Sequence, residues 1–458
     1  MESAKQEDLR VNTGYRDILK LAMPITLALL VPQINFITNN VFLSGLGERE
    51  LASAGLTGVY YLIFAVVGSG LSNGMQMLFA RRSGENRPEE IGKLFYNGSW
   101  VAVLFCIAGI GLTWTIGPSV LRWSIHDDAI AEQVIGFLKI RIWGLPFLYL
   151  YGLRNALLVG TGKSKFLVWG TLSEALTNIF FDYTLIYGKA GFPAIGFNGA
   201  AYASIIAEAT GLLVVFSVIR LNRIHLQFSL NKNRVIDKSV IRTIVVQSSP
   251  LIMQYGISIV TWEYYYILIE HYGARALAVS NTMRNIFGLV GIFSWAFAST
   301  TNTMVSNLIG QGRSDEVLTL VKRVALVSIA FCLPVIIVLN LFPGWFLGFY
   351  SLGGDFIDYA IPVVRVVSIA LVLMSFSSVW LNSVTGTGKT VVNLSIEIVT
   401  IIVYIIYVYL VLEKMQLGIV WGWGSEVVYW VCMFSMAWWY MQSGRWRNGG
   451  QAPGRGGV

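Results

Sequence analysis

Gly160-Thr161-Gly162-Lys163 returns as Gly386-Thr387-Gly388-Lys389, 226 residues further along the chain. The same displacement carries Pro24 onto Pro250, Gly47 onto Gly273, Leu51-Ala52 onto Leu277-Ala278 and Gly84 onto Gly310. It also carries Arg87 onto Arg313 and Phe105-Cys106 onto Phe331-Cys332. One register held over that distance marks a duplication. Two fused halves, both strongly apolar, are the organisation of duplicated membrane transporters, in which a binding site is expected where the halves meet.

Composition identifies the solvent. Mean hydropathy is +0.63, 55% of residues are hydrophobic and 13% are charged. Soluble domains carry about a quarter charged residues, so the chain reads as a polytopic membrane protein. Runs such as 56–72, 101–116 and 398–412 are almost continuously apolar, whereas barrel strands alternate, so helices are the expected spanning elements. The first 16 residues are polar and the first apolar run is too long for a cleaved leader, so it is expected to remain as a span. Cys106, Cys332 and Cys432 lie in apolar segments and indicate neither a disulfide framework nor a metal site.

Cutting at polar and turn-rich breaks predicts twelve helices, near 17–43, 51–80, 93–117, 130–160, 166–188, 195–221, 244–272, 277–309, 318–343, 356–387, 391–412 and 419–442. Six fall in each half. The expected fold class is an all-α membrane protein whose two six-helix lobes are related by a pseudo-two-fold axis along the membrane normal. The expected divisions are an N-lobe at 1–220, a cytoplasmic linker at 221–243, a C-lobe at 244–442 and a disordered cytoplasmic tail at 443–458. An even helix count puts both termini on one side, and that side collects 23 Lys and Arg against eight on the other. Arg49, Arg122, Lys139, Arg141, Lys189, Arg275, Arg365 and Lys414 make up the poorer set. The rich side is expected to be cytoplasmic, in the cell (inner) membrane. Topology thereby accounts for the formal charge of +8, and no nucleic-acid partner is called for.

The two Gly-Thr-Gly-Lys turns share the end of a phosphate-binding loop but not its first glycine, since Leu157 and Ser383 stand there. Tight turns between helices are expected in place of a nucleotide site. No HExxH or paired Cys/His spacing occurs, and Gly70-Leu71-Ser72-Asn73-Gly74, the one GxSxG match, sits inside an apolar run and not on a strand-to-helix turn, so no enzyme is expected and no cofactor is assigned. Six carboxylates remain inside apolar runs, namely Glu174, Asp182, Glu208, Glu263, Glu397 and Glu426. Each costs about 2.5 kcal/mol or more at mid-membrane and needs either a partner or a role, such as coupling to an ion gradient. Trp262-Glu263-Tyr264-Tyr265-Tyr266 sets aromatic faces beside one carboxylate, which suits an organic cation. Packing against a neighbouring helix or lipid is the alternative use of that run, and Arg284 on the next helix is a candidate neutralising partner of Glu263.

Ile37-Thr38-Asn39-Asn40-Val41-Phe42-Leu43-Ser44-Gly45-Leu46-Gly47 followed by Glu50-Leu51-Ala52 resembles the first-helix signature of MATE (multidrug and toxic compound extrusion) transporters. Asn178-Ile179-Phe180-Phe181-Asp182-Tyr183 through Gly188, then Gly196-Phe197-Asn198-Gly199 through Ser204, is similar to that family's fifth and sixth helices. The resemblance spans about residues 15 to 442. It implies twelve helices around a V-shaped cavity and export of organic, cationic amphiphilic compounds in exchange for H+ or Na+. A lipid-linked saccharide or lipid flippase of the same superfamily is the alternative. It further implies ion coupling at Asp182, Asn178, Asn39 and Glu263; together with the aromatic run around Glu263, substrate binding is expected at Glu263, Trp262, Tyr265, Tyr266 and Ser204. Partners are then a small-molecule substrate and membrane lipid, with the chain a monomer.

The departures matter as well. Asn39 stands where the family commonly has Asp, and Asn does not titrate, which leaves Asp182 as the best candidate for ion coupling in the first half. Ser258 stands at one of two acidic positions of eukaryotic members, and Met374 falls near a tenth-helix acid found in many relatives. The coupling ion therefore stays open between H+ and Na+.

Overall fold

Breaks in hydropathy become helix ends in the computed structural model, which describes residues 8–232, 234–348 and 354–447. The tail expected to be disordered lies, from 448 onward, outside the described residues. The first half forms α1 (Tyr15–Ser44), α2 (Glu48–Gly84), α3 (Pro88–Thr115), α4 (Asp128–Gly160), α5 (Leu167–Tyr187) and α6 (Phe197–Leu221). The second forms α7 (Lys238–Glu270), α8 (Ala274–Gly310), α9 (Val317–Leu341), α10 (Gly354–Gly386), α11 (Thr390–Lys414) and α12 (Ile419–Gln442). No strand occurs among the described residues. In hydrocarbon only a helix satisfies every backbone N–H and C=O within its own segment.

Ten of these segments are long and apolar enough to cross a membrane, and the chain is a multi-pass membrane protein. α5 and α12 fall outside that set, because α5 carries Glu174, Asn178 and Asp182, while α12 carries Glu426 among Trp, Gly and Ser. All twelve overlap the stretches expected from sequence. The largest shift is at α7, which starts at Lys238 and not near 244. Asp237 explains it: its Oδ1 accepts from the backbone N–H of Ser239 at 2.8 Å and of Val240 at 3.3 Å, capping a polar first turn that hydropathy does not register. The same carboxylate meets Lys93 Nζ at 2.5 Å, and these donors hold it below the usual carboxylate range.

The Gly-Thr-Gly-Lys turns are helix ends. Gly162 and Gly388 adopt φ of 73° and 84°, the left-handed cap that closes α4 and α10. Lys163 N–H donates to Leu158 O at 2.7 Å, so the loop's donors return to its own helix.

Contacts divide the chain into one unit of Met23–Ile252 and another of Met1–Ala22 with Met253–Val458. These boundaries fall inside α1 and α7, whereas sequence placed the division in the linker at 221–243. Within the first unit α5 and α6 run in backbone contact: a Cβ on Gly199 would lie 2.8 Å from the carbonyl of Leu185. Within the second, α7, α8, α10, α11 and α12 enclose an apolar core that includes Tyr265, Phe287, Val363, Tyr404 and Trp423. In each unit an Asn side chain bonds one strap at two backbone points. Asn97 donates to Val235 O at 3.2 Å and accepts from Asp237 N–H at 2.8 Å. Asn307 donates to Leu9 O at 3.2 Å and accepts from Val11 N–H at 3.1 Å. Leu9 and Val11 are the repeat mates of Val235 and Asp237.

Close packing follows the repeat too. A Cβ on Gly160 would sit 2.7 Å from Gln76 O and 2.9 Å from Phe79 Cβ; on Gly386 it would sit 2.9 Å from Asn302 O and 2.9 Å from Val305 Cβ. Gly160→Ala and Gly386→Ala are therefore expected to destabilise the protein by about 1–3 kcal/mol each through overpacking. Gly111→Ala, which meets nothing within 4 Å on α3, is expected to be neutral or slightly stabilising. Thermal unfolding of the detergent-solubilised variants tests this, and equal effects at all three sites would contradict the packing argument.

Candidate functional site

The first unit gathers its membrane acids on two adjoining helices. Glu174, Asn178 and Asp182 recur every four residues on one face of α5, and Glu208 lies on α6. Glu208 accepts two bonds from the Arg141 guanidinium of α4, at 3.0 and 2.5 Å, while the same guanidinium stacks 3.9 Å from the Tyr61 ring centroid of α2. Sequence counted Arg141 with the basic residues of the charge-poor side. The structure instead buries it beside Glu208, next to the 3-10 turn at Ile142–Gly144 that breaks α4. Ser204 lies one turn before Glu208 on α6 and is half-buried.

Asp182 is different. It is 0% exposed, and neither carboxylate oxygen accepts a hydrogen bond from any described group. Asn178 Nδ2 and Asn39 Oδ1 are also buried without a hydrogen-bond partner among the described residues. The ring of Phe42 on α1 meets Tyr183 at 6.3 Å, and the Tyr187 hydroxyl donates to Phe42 O at 2.6 Å. These contacts bring the α1 turn after Asn39 against the α5 turn of Asp182. A carboxylate with open oxygens, one turn from Asn178 on the same helix, is equipped to take up a proton or a small cation.

In the second unit Glu263 is half-buried on α7 and makes no ion pair with Arg284 among the described residues. The guanidinium of Arg284 stands 5.1 Å over the Trp262 ring and 5.6 Å over the Tyr266 ring. Tyr265 is buried in the core, edge-on to Tyr266 at 5.7 Å and to Trp423 at 5.5 Å. Tyr266 donates to Ser280 O at 3.0 Å. Core neighbours thus occupy the faces of both tyrosines, and Arg284 takes the cation position over Trp262. Trp262 Nε1 donates to Glu426 Oε1 at 3.2 Å.

Sequence reasoning flagged Glu397 and Ser258 separately but not the polar cluster around Glu397, to which Gln254, Ser258, Asn393 and Tyr429 contribute from α7, α11 and α12. Among the described residues no three His, Cys, Asp or Glu side chains gather as metal ligands.

Comparison with known proteins agrees with this architecture. The MatE family model matches residues 24–184 and again 250–410, two blocks set apart by the repeat displacement. The chain belongs to that family. It is 25% identical over 372 residues to a probable multidrug resistance protein NorM of Synechocystis, covering 78% of this chain and 79% of the relative. A probable multidrug resistance protein NorM of Thermotoga maritima is 22% identical over 435 residues, with 94% and 93% covered. Among solved structures, an outward-facing conformation of a multidrug resistance MATE family transporter of the MOP superfamily superposes with a TM-score of 0.87. Its identity is 18%, and the match covers 97% of this chain and all of that one. The fold is therefore that of the MATE transporters, twelve helices in two six-helix lobes.

Arg141→Ala strands a buried carboxylate and is expected to destabilise by about 3–5 kcal/mol. Replacing both partners, Arg141→Met with Glu208→Leu, is expected to recover most of that loss, as unfolding in detergent will read. A double variant as unstable as Arg141→Ala would show that the pair is not self-contained.

Proposed function

We propose that the chain is a secondary-active antiporter that exports organic, cationic amphiphilic compounds in exchange for H+ or Na+. We assign it to the cell membrane as a monomer, with both termini cytoplasmic. Membership in the MatE family and the multidrug-resistance names of its relatives support the transport class. The uneven loop charge supports the orientation, and moving Arg141 into a span strengthens the bias.

The observation that carries the coupling is Asp182. An ordinary structural acid in a span is paired, as Glu208 is by Arg141, whereas Asp182 is fully buried with both oxygens open. Binding an ion there neutralises a fully buried charge, and releasing it restores the cost, so occupancy can bias a conformational equilibrium. Asn178 and Asn39 serve as neutral companions. Glu263 is the candidate substrate carboxylate of the second unit, with Trp262 and Tyr264 the members of its aromatic run that remain partly exposed.

Two outcomes check this reading. In proteoliposomes, Asp182→Asn should reduce gradient-driven dye efflux at least about tenfold, equivalent to a lost coupling of about 1.4 kcal/mol, while dye binding in detergent persists. Wild-type efflux in that variant would move the coupling elsewhere, first to Glu263. Single cysteines at Lys163 and Lys389 should be labelled only from the cytoplasmic side. The native background is small, since Cys106 and Cys332 are buried and Cys432 is half-buried. External labelling at either turn would overturn the orientation.

A further inference from the structure

Glu397 lies on α11, 1% exposed, and is held by three neutral donors from two other helices. Its Oε1 accepts from the Ser258 hydroxyl of α7 at 2.6 Å and from the Tyr429 hydroxyl of α12 at 2.6 Å. Its Oε2 accepts from Gln254 Nε2 at 3.1 Å. Gln254 is fixed in that sense because its Oε1 accepts from Asn393 Nδ2 at 2.5 Å. No Lys, Arg or His among the described residues pairs with this carboxylate.

Hydrogen counting sets the site apart from the buried ion pair of the first unit. Ser258 has one hydroxyl proton and two acceptors in reach, Glu397 Oε1 and Gln254 O at 2.9 Å. When Glu397 is ionised, Ser258 donates to it. When Glu397 carries a proton on Oε1, that proton goes to Ser258 Oγ and Ser258 turns its own to Gln254 O. Tyr429 and Gln254 keep their bonds in both cases. The cluster satisfies both charge states by rotating one hydroxyl, which a structural carboxylate has no need to do.

The surroundings hold titratable groups but no basic partner in contact. α12 supplies Tyr429 and Glu426, and Glu426 is itself held by Trp262 Nε1. α11 supplies Tyr404, 5.9 Å from the Tyr429 ring, and α7 supplies Tyr265, 6.4 Å from Tyr404, with Glu263 two residues earlier. From α8, Arg284 stands over Trp262 and Tyr266. α10 carries Asp355, Asp358, Tyr359 and Arg365 in its first turns, and none is bonded to Glu397. The repeat offers no copy of the cluster: Ser258, Glu397 and Tyr429 correspond to Pro32, Thr171 and Ala203. α11 is nevertheless the repeat mate of α5, the helix that bears Asp182.

We propose that Glu397, Ser258, Gln254 and Tyr429 form a second, independent proton-binding site, which loads and unloads during the transport cycle. The proposal rests on reading the chain as an ion-coupled exporter. The step is a plain proton transfer: a proton from water reaches a Glu397 carboxylate oxygen, and none is gained or lost by Ser258. All partners of the carboxylate are N–H or O–H donors, which favours a proton over a metal cation.

Two measurements on the purified full chain in liposomes test it. Infrared difference spectra between acid and alkaline pH should contain a protonated-carboxyl C=O band that partly disappears in Glu397→Gln. An unchanged band would overturn the site. Loss of the wild-type band on adding Na+ at constant pH would overturn the choice of proton over metal. Substrate-driven proton movement, read with a pH-indicator dye, should fall per substrate exported in Glu397→Gln, and an unchanged ratio would overturn the transport role. Should Glu397→Gln fail to insert, Ser258→Ala and Tyr429→Phe keep the carboxylate. Each is expected to shift the pH profile of the band, and profiles identical to wild type would overturn the proposal. A wild type that exports no dye under any gradient defeats the function and leaves the infrared result to stand alone.

Discussion

A lipid interior offers no hydrogen bonds, and this shortage governs the whole structure. It forces the backbone into helices and makes each polar side chain within a span an exception that has to be resolved. The acids resolve it in three ways. Glu208 is neutralised by a two-point bond to Arg141, and Glu397 is solvated by three neutral donors. Asp182 is left open. The first arrangement is static, because withdrawing either partner strands a buried charge. The other two can accept a change of charge without taking the fold apart, and on them the functional reading rests.

The same constraint shows why much of the fold was legible in the sequence. Apolar run length and the duplicated Gly-Thr-Gly-Lys turns are local signals, and they fixed twelve helices and a repeat that the family match reproduces at 24–184 and 250–410. The missing first glycines at Leu157 and Ser383 already excluded a phosphate loop, and the left-handed Gly162 and Gly388 close helices instead. Boundaries were least legible where water does the work, as at α7, whose start depends on the Asp237 cap and not on hydropathy.

The sites were legible only in part, because their partners come from distant segments. Asp182 stood out through its motif and the loss of an acid at Asn39. Nothing local to Arg141 distinguished a loop charge from a buried partner of Glu208, a residue 67 positions away. The aromatic run after Trp262 read either as a cation site or as packing, because adjacent helical residues point in different directions, and Tyr265 and Tyr266 turn into the core. Gln254, Asn393 and Tyr429 are unremarkable in sequence and acquire meaning only by converging on Glu397.

The central claim is that an ion gradient drives export through carboxylates that change charge within the membrane. Its most direct test is wild-type protein in sealed proteoliposomes, with membrane potential clamped and a pH or Na+ gradient imposed in turn. The account predicts that a cationic dye is moved against its own concentration gradient under at least one of them, with the driving ion flowing the opposite way. Dye that merely equilibrates under both gradients would contradict it.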